Sequence, residues 1–292
     1  SLVAQTGLSM EVVLLGTAGG PGGHPQRAGI STLLQDAGKT VLVDAGEGVV
    51  HRWTQAGAPA SGPDLILLTH LHDDHTAGLP ALLSFAFTTR GRPLHIIGPQ
   101  GTRALVDGAL AFAATNAAIR NAESGAVRDP RDFVQVEERT PGLWWEGDGL
   151  RIVAVGNSHF SRGILATDEG SSVSLQVAAG DCRVVLTGDT GPSEAVEALA
   201  AGADLLVSEM ASGADVAAVP AFVRSHMLRE HLSPAAVGQL AQRARVRRVV
   251  LSHIRDVTDE DVAGVRLHYA GPVEAGHDLQ RLTPCAEAAT SQ

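Results

Sequence analysis

The stretch His70-Leu71-His72-Asp73-Asp74-His75 places three imidazoles and two carboxylates within six residues, after the apolar run Asp64-Leu65-Ile66-Leu67-Leu68-Thr69. Such groups are costly to crowd together unless something positive holds them, and a divalent cation does so most simply. Borderline metals such as Zn²⁺ accept His nitrogen and Asp oxygen together. Three further donors each close an apolar run: His159 after 150–158, Asp189 after 183–188 and His253 after 247–252. Alone, each reads as a cap or a loop residue. Together with His70, His72, Asp74 and His75 they make seven donors, enough for two metals. Asp73 reads as a carboxylate outside the ligand set.

Motif by motif and in order, Thr69-His70-Leu71-His72-Asp73-Asp74-His75, His159, Thr187-Gly188-Asp189-Thr190 and Ser252-His253 resemble the metallo-β-lactamase superfamily, over about residues 12–282. The resemblance implies that His70, His72 and His159 bind a first metal, that Asp74, His75 and His253 bind a second, and that Asp189 bridges them. The implied cofactors are two Zn²⁺, with Mn²⁺ or Fe²⁺ as alternatives because affinity follows availability as much as ligand type. The opening Val12-Val13-Leu14-Leu15-Gly16-Thr17-Ala18-Gly19-Gly20-Pro21 is similar to the ribonuclease Z-like and arylsulfatase/phosphodiesterase branch. So are Leu42-Val43-Asp44-Ala45-Gly46-Glu47-Gly48 and Ser208-Glu209 followed by His231-Leu232-Ser233-Pro234. In that branch an acidic residue after a strand pairs with a His that faces the scissile group, and Glu209 and His231 fall on those positions.

A water held by two cations loses its proton near neutral pH, so the expected chemistry is hydrolysis by a metal-bound hydroxide. Asp74 would orient the nucleophile, and His231, oriented by Glu209, would protonate the leaving group. The expected substrate is a small-molecule phosphodiester or sulfate ester. A lactone, carboxylic ester or β-lactam is the alternative on the same site. His231, His226 and His24 are the candidate substrate contacts. His24 lies in the loop Gly19-Gly20-Pro21-Gly22-Gly23-His24-Pro25, which lacks the Lys-Ser/Thr and following helix of a P-loop. An iron redox enzyme is disfavoured because Asp73-Asp74 stands where flavodiiron relatives place a Glu, and a decayed scaffold because no ligand is lost.

Ribonuclease Z inserts a long basic arm for transfer RNA between the third His and the bridging Asp. The short stretch between His159 and Asp189 leaves no room for one. A formal charge of −10 also argues against a nucleic-acid surface, since phosphate neutralisation needs clustered Lys and Arg. The basic cluster Arg243-Ala244-Arg245-Val246-Arg247-Arg248 reads as closing a helix against its dipole. The expectation is therefore a small-molecule substrate, no nucleic acid, no membrane partner and, from the resemblance, a homodimer. No apolar run approaches the ~20 residues that span a bilayer. The start, Ser1-Leu2-Val3-Ala4-Gln5-Thr6-Gly7, lacks a full secretory signal, which leaves the compartment open between cytoplasm and a periplasmic or secreted location. Cys182 and Cys285 have no partners at zinc spacing, and spacing alone does not decide whether they pair.

Placing these donors at one cleft requires strands that end together. The pattern predicts strands at 11–17, 31–35, 40–44, 64–69, 94–97 and 172–177, with others ending at His159, Asp189, Glu209 and His253. Helices are predicted at 48–56, 78–88, 101–123, 192–200 and 234–244, the last opened by Ser233-Pro234. Strands alternating with helices mean α/β layers. With the resemblance, the expected fold is an αββα sandwich of the metallo-β-lactamase type, two sheets flanked by helices. Residues 1–292 would form one such domain, with 109–141 as a connector or a lid insertion. In the lid reading Phe112, Phe133, Trp144 or Trp145 lines the substrate pocket, although Trp144-Trp145 fits a core or dimer contact equally.

Overall fold

The computed structural model describes residues 10–89, 92–160 and 171–285. Its apolar runs are strands buried on both faces. Leu65 and Leu67 join one apolar cluster while Ile66 and Leu68 join another, the alternation that a two-residue period imposes. Val184 and Leu186 likewise share a cluster from which Val185 turns away.

The strands form two seven-stranded sheets. The first runs β14 (Gln280–Leu282), β1 (Glu11–Gly16), β2 (Ser31–Asp36), β3 (Lys39–Val43), β4 (Leu65–Leu67), β5 (Leu94–Gly98) and β6 (Val134–Glu138). The second runs β13 (Val273–Ala275), β12 (Val249–Leu251), β11 (Leu205–Ser208), β10 (Cys182–Leu186), β9 (Val173–Ala179), β8 (Leu150–Gly156) and β7 (Gly142–Gly147). Each sheet is antiparallel on one side and parallel on the other. The parallel halves, β3 to β6 and β10 to β13, carry registers such as Val41 opposite Leu65 and Val184 opposite Leu205. Parallel neighbours need crossover connections. The first half supplies α1 (Val49–Gln55), α2 (Asp73–Thr76), α3 (Leu79–Thr89) and α4 (Thr102–Ser124). The second supplies α5 (Glu194–Leu199), α6 (Gly213–Ala218), α7 (Ala221–Glu230), α8 (Pro234–Ala244) and α9 (Asp259–Arg266).

Leu14, Leu67, Trp144, Leu175, Leu186 and Val207 meet between the sheets. Trp53 of α1, Leu83 of α3 and Val106 of α4 cover the outside of the first sheet. Val196 of α5, Val237 of α8 and Val265 of α9 cover the outside of the second. The order helices–sheet–sheet–helices is the expected αββα sandwich. Ser233 caps α8 by accepting from the Ala236 amide, with Pro234 in the first turn.

The structure decides one alternative left open for Trp144 and corrects the connector reading of 126–141. Trp144 lies in the inter-sheet core, fully buried, its indole N–H donating to the Thr140 carbonyl, so it lines no substrate pocket. Residues 126–141 are more than a connector, because they include β6, which extends the first sheet as a parallel neighbour of β5. Phe133 packs against Phe87, Phe112 is exposed on α4, and Trp145 meets His95 edge-on.

Cys182 and Cys285 form a disulfide with a Cα–Cα distance of 5.8 Å. It ties the first residue of β10 to the segment beyond β14, joining one sheet to the other. Among the described residues no helix is long and apolar enough to cross a membrane.

Candidate metal centre

The C-terminal ends of β4, β8, β10, β11 and β12 open onto one cleft, and the residues just beyond them converge there. His70, His72, His159 and Asp189 offer ligand atoms that all lie within 4.8 Å of one another, as do Asp74, His75, Asp189 and His253. In the first group His72 Nδ1 is 3.0 Å from His70 Nε2 and 3.3 Å from His159 Nε2, and both of these Nε2 atoms lie 3.7 Å from Asp189 Oδ2. In the second, His253 Nε2 is 3.1 Å from both Asp74 Oδ2 and Asp189 Oδ1, and His75 Nε2 is 3.1 Å from Asp189 Oδ1. Asp189 belongs to both groups. The seven residues singled out in the sequence are thus brought together, with Asp189 between the two sets.

The far sides of three of the rings are fixed. His75 Nδ1 donates to Asp44 Oδ2 at 2.7 Å, His159 Nδ1 donates to the Glu230 carbonyl at 3.2 Å, and His70 Nδ1 lies 3.2 Å from Thr69 Oγ1. These contacts leave Nε2 of each ring for the cleft, the tautomer a metal ligand needs. Asp44 also accepts from the Thr69 amide and hydroxyl, each at 2.8 Å. It sits at φ 60°, and His253 at φ 51°, so two non-glycine residues of the site occupy left-handed backbone. Asp44 was legible only as part of a family-like stretch; its φ and its three donors gave no sequence signal.

Electrostatics show what the cluster lacks. Burial lowers the His75 pKa, but the Asp189 and Asp44 carboxylates outweigh it and push the ring up to about 10. His253 is likewise raised well above the ordinary range: burial opposes the shift and Asp189 dominates it. Burial would raise Asp189, yet His253 and His75 hold it well below the carboxylate range. Burial drives His70 far down and His159 down to about 4. The protein alone therefore needs protons on His75 and His253 to neutralise Asp189. His75 Nε2 and Asp189 Oδ1, both fully buried, face each other at 3.1 Å without good hydrogen-bond geometry. Divalent cations at the two groups would replace those protons and satisfy both orphan atoms, so the residues fit a binuclear metal site.

Beside this cluster Glu209 is buried, and its Oε1 accepts from His231 Nδ1 at 2.8 Å and from the Thr190 amide at 3.0 Å. Its Oε2 accepts from the Leu232 amide at 3.3 Å. The His231 ring lies 5.0 Å from His159 and stacks 6.0 Å from His253. Burial would lower the His231 pKa, but Glu209 raises it above the ordinary range. The other candidate contacts separate. His226 on α7 is exposed, pairs with Glu230 at 3.0 Å and faces a cavity of about 660 Å³ shared with His231. His24 lines a different cavity, of about 220 Å³, with Asp73 and Asp74; its Nδ1 accepts from the Gln26 amide.

The profile of the family described as "Beta-lactamase superfamily domain" matches residues 39–254. A protein named ribonuclease Z from Mycobacterium bovis (strain BCG / Pasteur 1173P2) is 33% identical over 282 residues, covering 94% of this chain and 98% of that protein. The metallo-β-lactamase fold protein YhfI from Bacillus subtilis superposes with a TM-score of 0.70 at 19% identity, covering 94% of this chain and 98% of that one. The short form of human tRNase Z gives 0.68 at 20% identity, covering 94% and 100%. The αββα fold is therefore that of the metallo-β-lactamases, and the chain is a metal-dependent hydrolase.

These relatives overturn the expectation of a small-molecule phosphodiester or sulfate ester hydrolase without a nucleic-acid partner. Arylsulfatase and lactonase readings find no support. The argument from the missing arm fails because the chain spans nearly the whole of a ribonuclease Z. Residues 161–170, in the stretch where that arm was sought, lie outside the described residues.

Proposed function

The chain belongs to the β-lactamase superfamily, in its ribonuclease Z-like branch, and from that premise we propose that it is an endonuclease that hydrolyses a phosphodiester bond in RNA, with a transfer-RNA precursor as substrate. The observation that carries this reading is the pair of buried Glu209 and half-buried His231, 2.8 Å apart, set against the two donor groups in a chain of ribonuclease Z length. We assign His70, His72 and His159 to a first Zn²⁺, Asp74, His75 and His253 to a second, and Asp189 to both. Bound there, the two ions would supply an activated water and positive charge for the phosphate oxygens.

The chain's own residues do the rest. Asp44 and Thr69 hold the imidazoles in the ligating tautomer. Asp74 stands at the second group, 3.1 Å from His253, where it orients the attacking water. His231 carries its proton because the Glu209 carboxylate faces Nδ1, and it gives that proton to the sugar oxygen as the P–O bond breaks. The water's oxygen becomes part of the phosphate, and its proton leaves to solvent. Such a positioned acid contributes typically 10²–10⁴-fold.

The test is a zinc-loaded preparation incubated with a transfer-RNA transcript bearing a 3′ extension. A single cut at the 3′ end of the acceptor stem, abolished by chelation and restored by zinc, is the expected result. Two bound zinc ions with no cleavage of that transcript refutes the proposal.

A further inference from the structure

The 660 Å³ cavity beside His231 is larger than the metal cleft needs and different in kind. One wall is the catalytic surface itself, since Glu209, His231 and His253 line it. The opposite wall is the hairpin of α6 and α7, which contributes Val219, Val223 and Met227, with Met210 beneath them. Val223 and Met227 are four residues apart on α7, so one helix face presents both to the cavity. Neither α6 nor α7 contains a buried residue. The hairpin thus holds an apolar face over an open space next to the reacting centre, at a size typical of small-ligand pockets, roughly 300–1,000 Å³.

The charge around this space selects the occupant. Asp215, Glu230 and Glu209 line it together with Arg255, His226, His231 and His253. A phosphate is disfavoured there, because the cations already face partners: Arg255 the Gly19 and Gly23 carbonyls, His226 Glu230, His231 Glu209 and His253 Asp74. A neutral, flat group with an apolar face and polar edges is not: methionine and valine side chains take the face, and carboxylates accept from edge amino groups. In an RNA substrate that group is an unstacked base, the form in which single-stranded RNA is read. We propose that this cavity is a nucleobase subsite, and that it takes the base of the nucleotide whose sugar oxygen leaves. The side is assigned because His231, which protonates that oxygen, forms the shared wall. Bases with an exocyclic amino group are favoured over uracil. The inference rests on the nuclease reading above.

The experiment maps the cut in the 3′-extended transcript and then places an abasic nucleotide on either side of it in turn. On the wild-type enzyme, the abasic nucleotide on the leaving side lowers kcat/KM by roughly 5- to 150-fold, the range for losing one stacked base, and the other does little. Val223→Trp, which fills the cavity from a half-exposed helix position, lowers kcat/KM on the intact transcript and removes most of the further abasic penalty. Met227→Ala reduces that penalty in the same direction, and zinc content of both variants shows that each is folded. An abasic penalty that is absent, falls on the other side or persists in full in both variants overturns the subsite and leaves the nuclease standing. Wild-type enzyme that hydrolyses bis(p-nitrophenyl) phosphate but no RNA overturns the nuclease reading and this inference with it.

Discussion

Replacing Asp44 by Asn isolates the support behind the second donor group. The carboxylate is 2% exposed and takes three donors: the Thr69 amide on Oδ1, and the Thr69 hydroxyl and His75 Nδ1 on Oδ2. Asn fits the same volume and tolerates the left-handed φ of 60°, so the backbone is not the perturbation. An amide group has only one accepting atom. If its NH₂ replaces Oδ1, it meets the Thr69 N–H head-on and strands a buried donor, at about 1–3 kcal/mol. If it replaces Oδ2, His75 must give up the proton on Nδ1 and place it on Nε2, the atom that faces Asp189. Either way zinc at the second group should bind 10- to 100-fold more weakly, the usual effect of losing such a partner. That is about 1.4–2.8 kcal/mol. The first group feels a smaller change through the Thr69 hydroxyl, 3.2 Å from His70 Nδ1. Equilibrium dialysis against buffered zinc, with metal counted per chain, reads both. An Asp44→Asn protein that takes up two zinc ions with wild-type affinities refutes the assignment of Asp44 as the group that sets the His75 tautomer.

His231→Ala should lower kcat on RNA by about 10²–10⁴-fold while KM and zinc content stay within a few-fold, measured by steady-state cleavage and metal analysis. Gly191→Ala should lower stability by about 1–3 kcal/mol in urea unfolding and slow cleavage, because a Cβ there collides with the Arg229 carbonyl and pushes the end of α7, with Glu230 and His231, off the site. Asp261→Ala removes the capping box of α9 and the acceptor for the Gly213 amide that starts α6, at about 0.5–2 kcal/mol. Burial opposes it, but the Gly213 and Thr258 amides hold Asp261 below the ordinary aspartate range, so its contribution is whole above that range and fades as pH falls through the lower folded value. Unfolding curves of wild type and variant should therefore differ at pH 7 and converge in acid. Cys285→Ser should cost roughly 2–4 kcal/mol, since the disulfide closes a long loop across both sheets.

What could be read beforehand follows burial. Leu65 to Leu68 announce β4 because both faces of that strand are covered and no polar residue interrupts it. The donors at its end were legible because His and Asp so close together are chemically conspicuous. The hairpin α6–α7 was not, since its helices bury no residue and the Val223–Met227 pair on α7 is too short a stripe for the 3.6-residue period to reveal. β6 escaped for a related reason: it is an edge strand whose Gln135 and Glu138 face solvent. The start of α9 was legible in principle, because Thr258-Asp259-Glu260-Asp261 is a capping box with its acidic first turn. Trp144 stayed open between pocket and core because its aromatic bulk suits both equally, and sequence does not say on which side of β7 the sheets meet.

The substrate was misjudged because a net charge is a sum and RNA binding is local. Asp44, Asp74, Asp189 and Glu209 count toward the −10, yet all four belong to the metal centre and its support. Two divalent cations would offset four of those charges before any RNA arrives. In the basic cluster 243–248, Arg243 pairs with Glu197, Arg247 with Asp204 and Arg248 with Glu274. On the proposed reading, what remains for the substrate is the mouth of the cleft, where a metal-filled centre would meet an apolar cavity lined in part by carboxylates. Such a surface would draw one phosphate to the metals and one base to the hydrophobic wall, and it would need no basic face to do either. A chain can therefore be acidic overall and still have a site shaped for a strand of RNA.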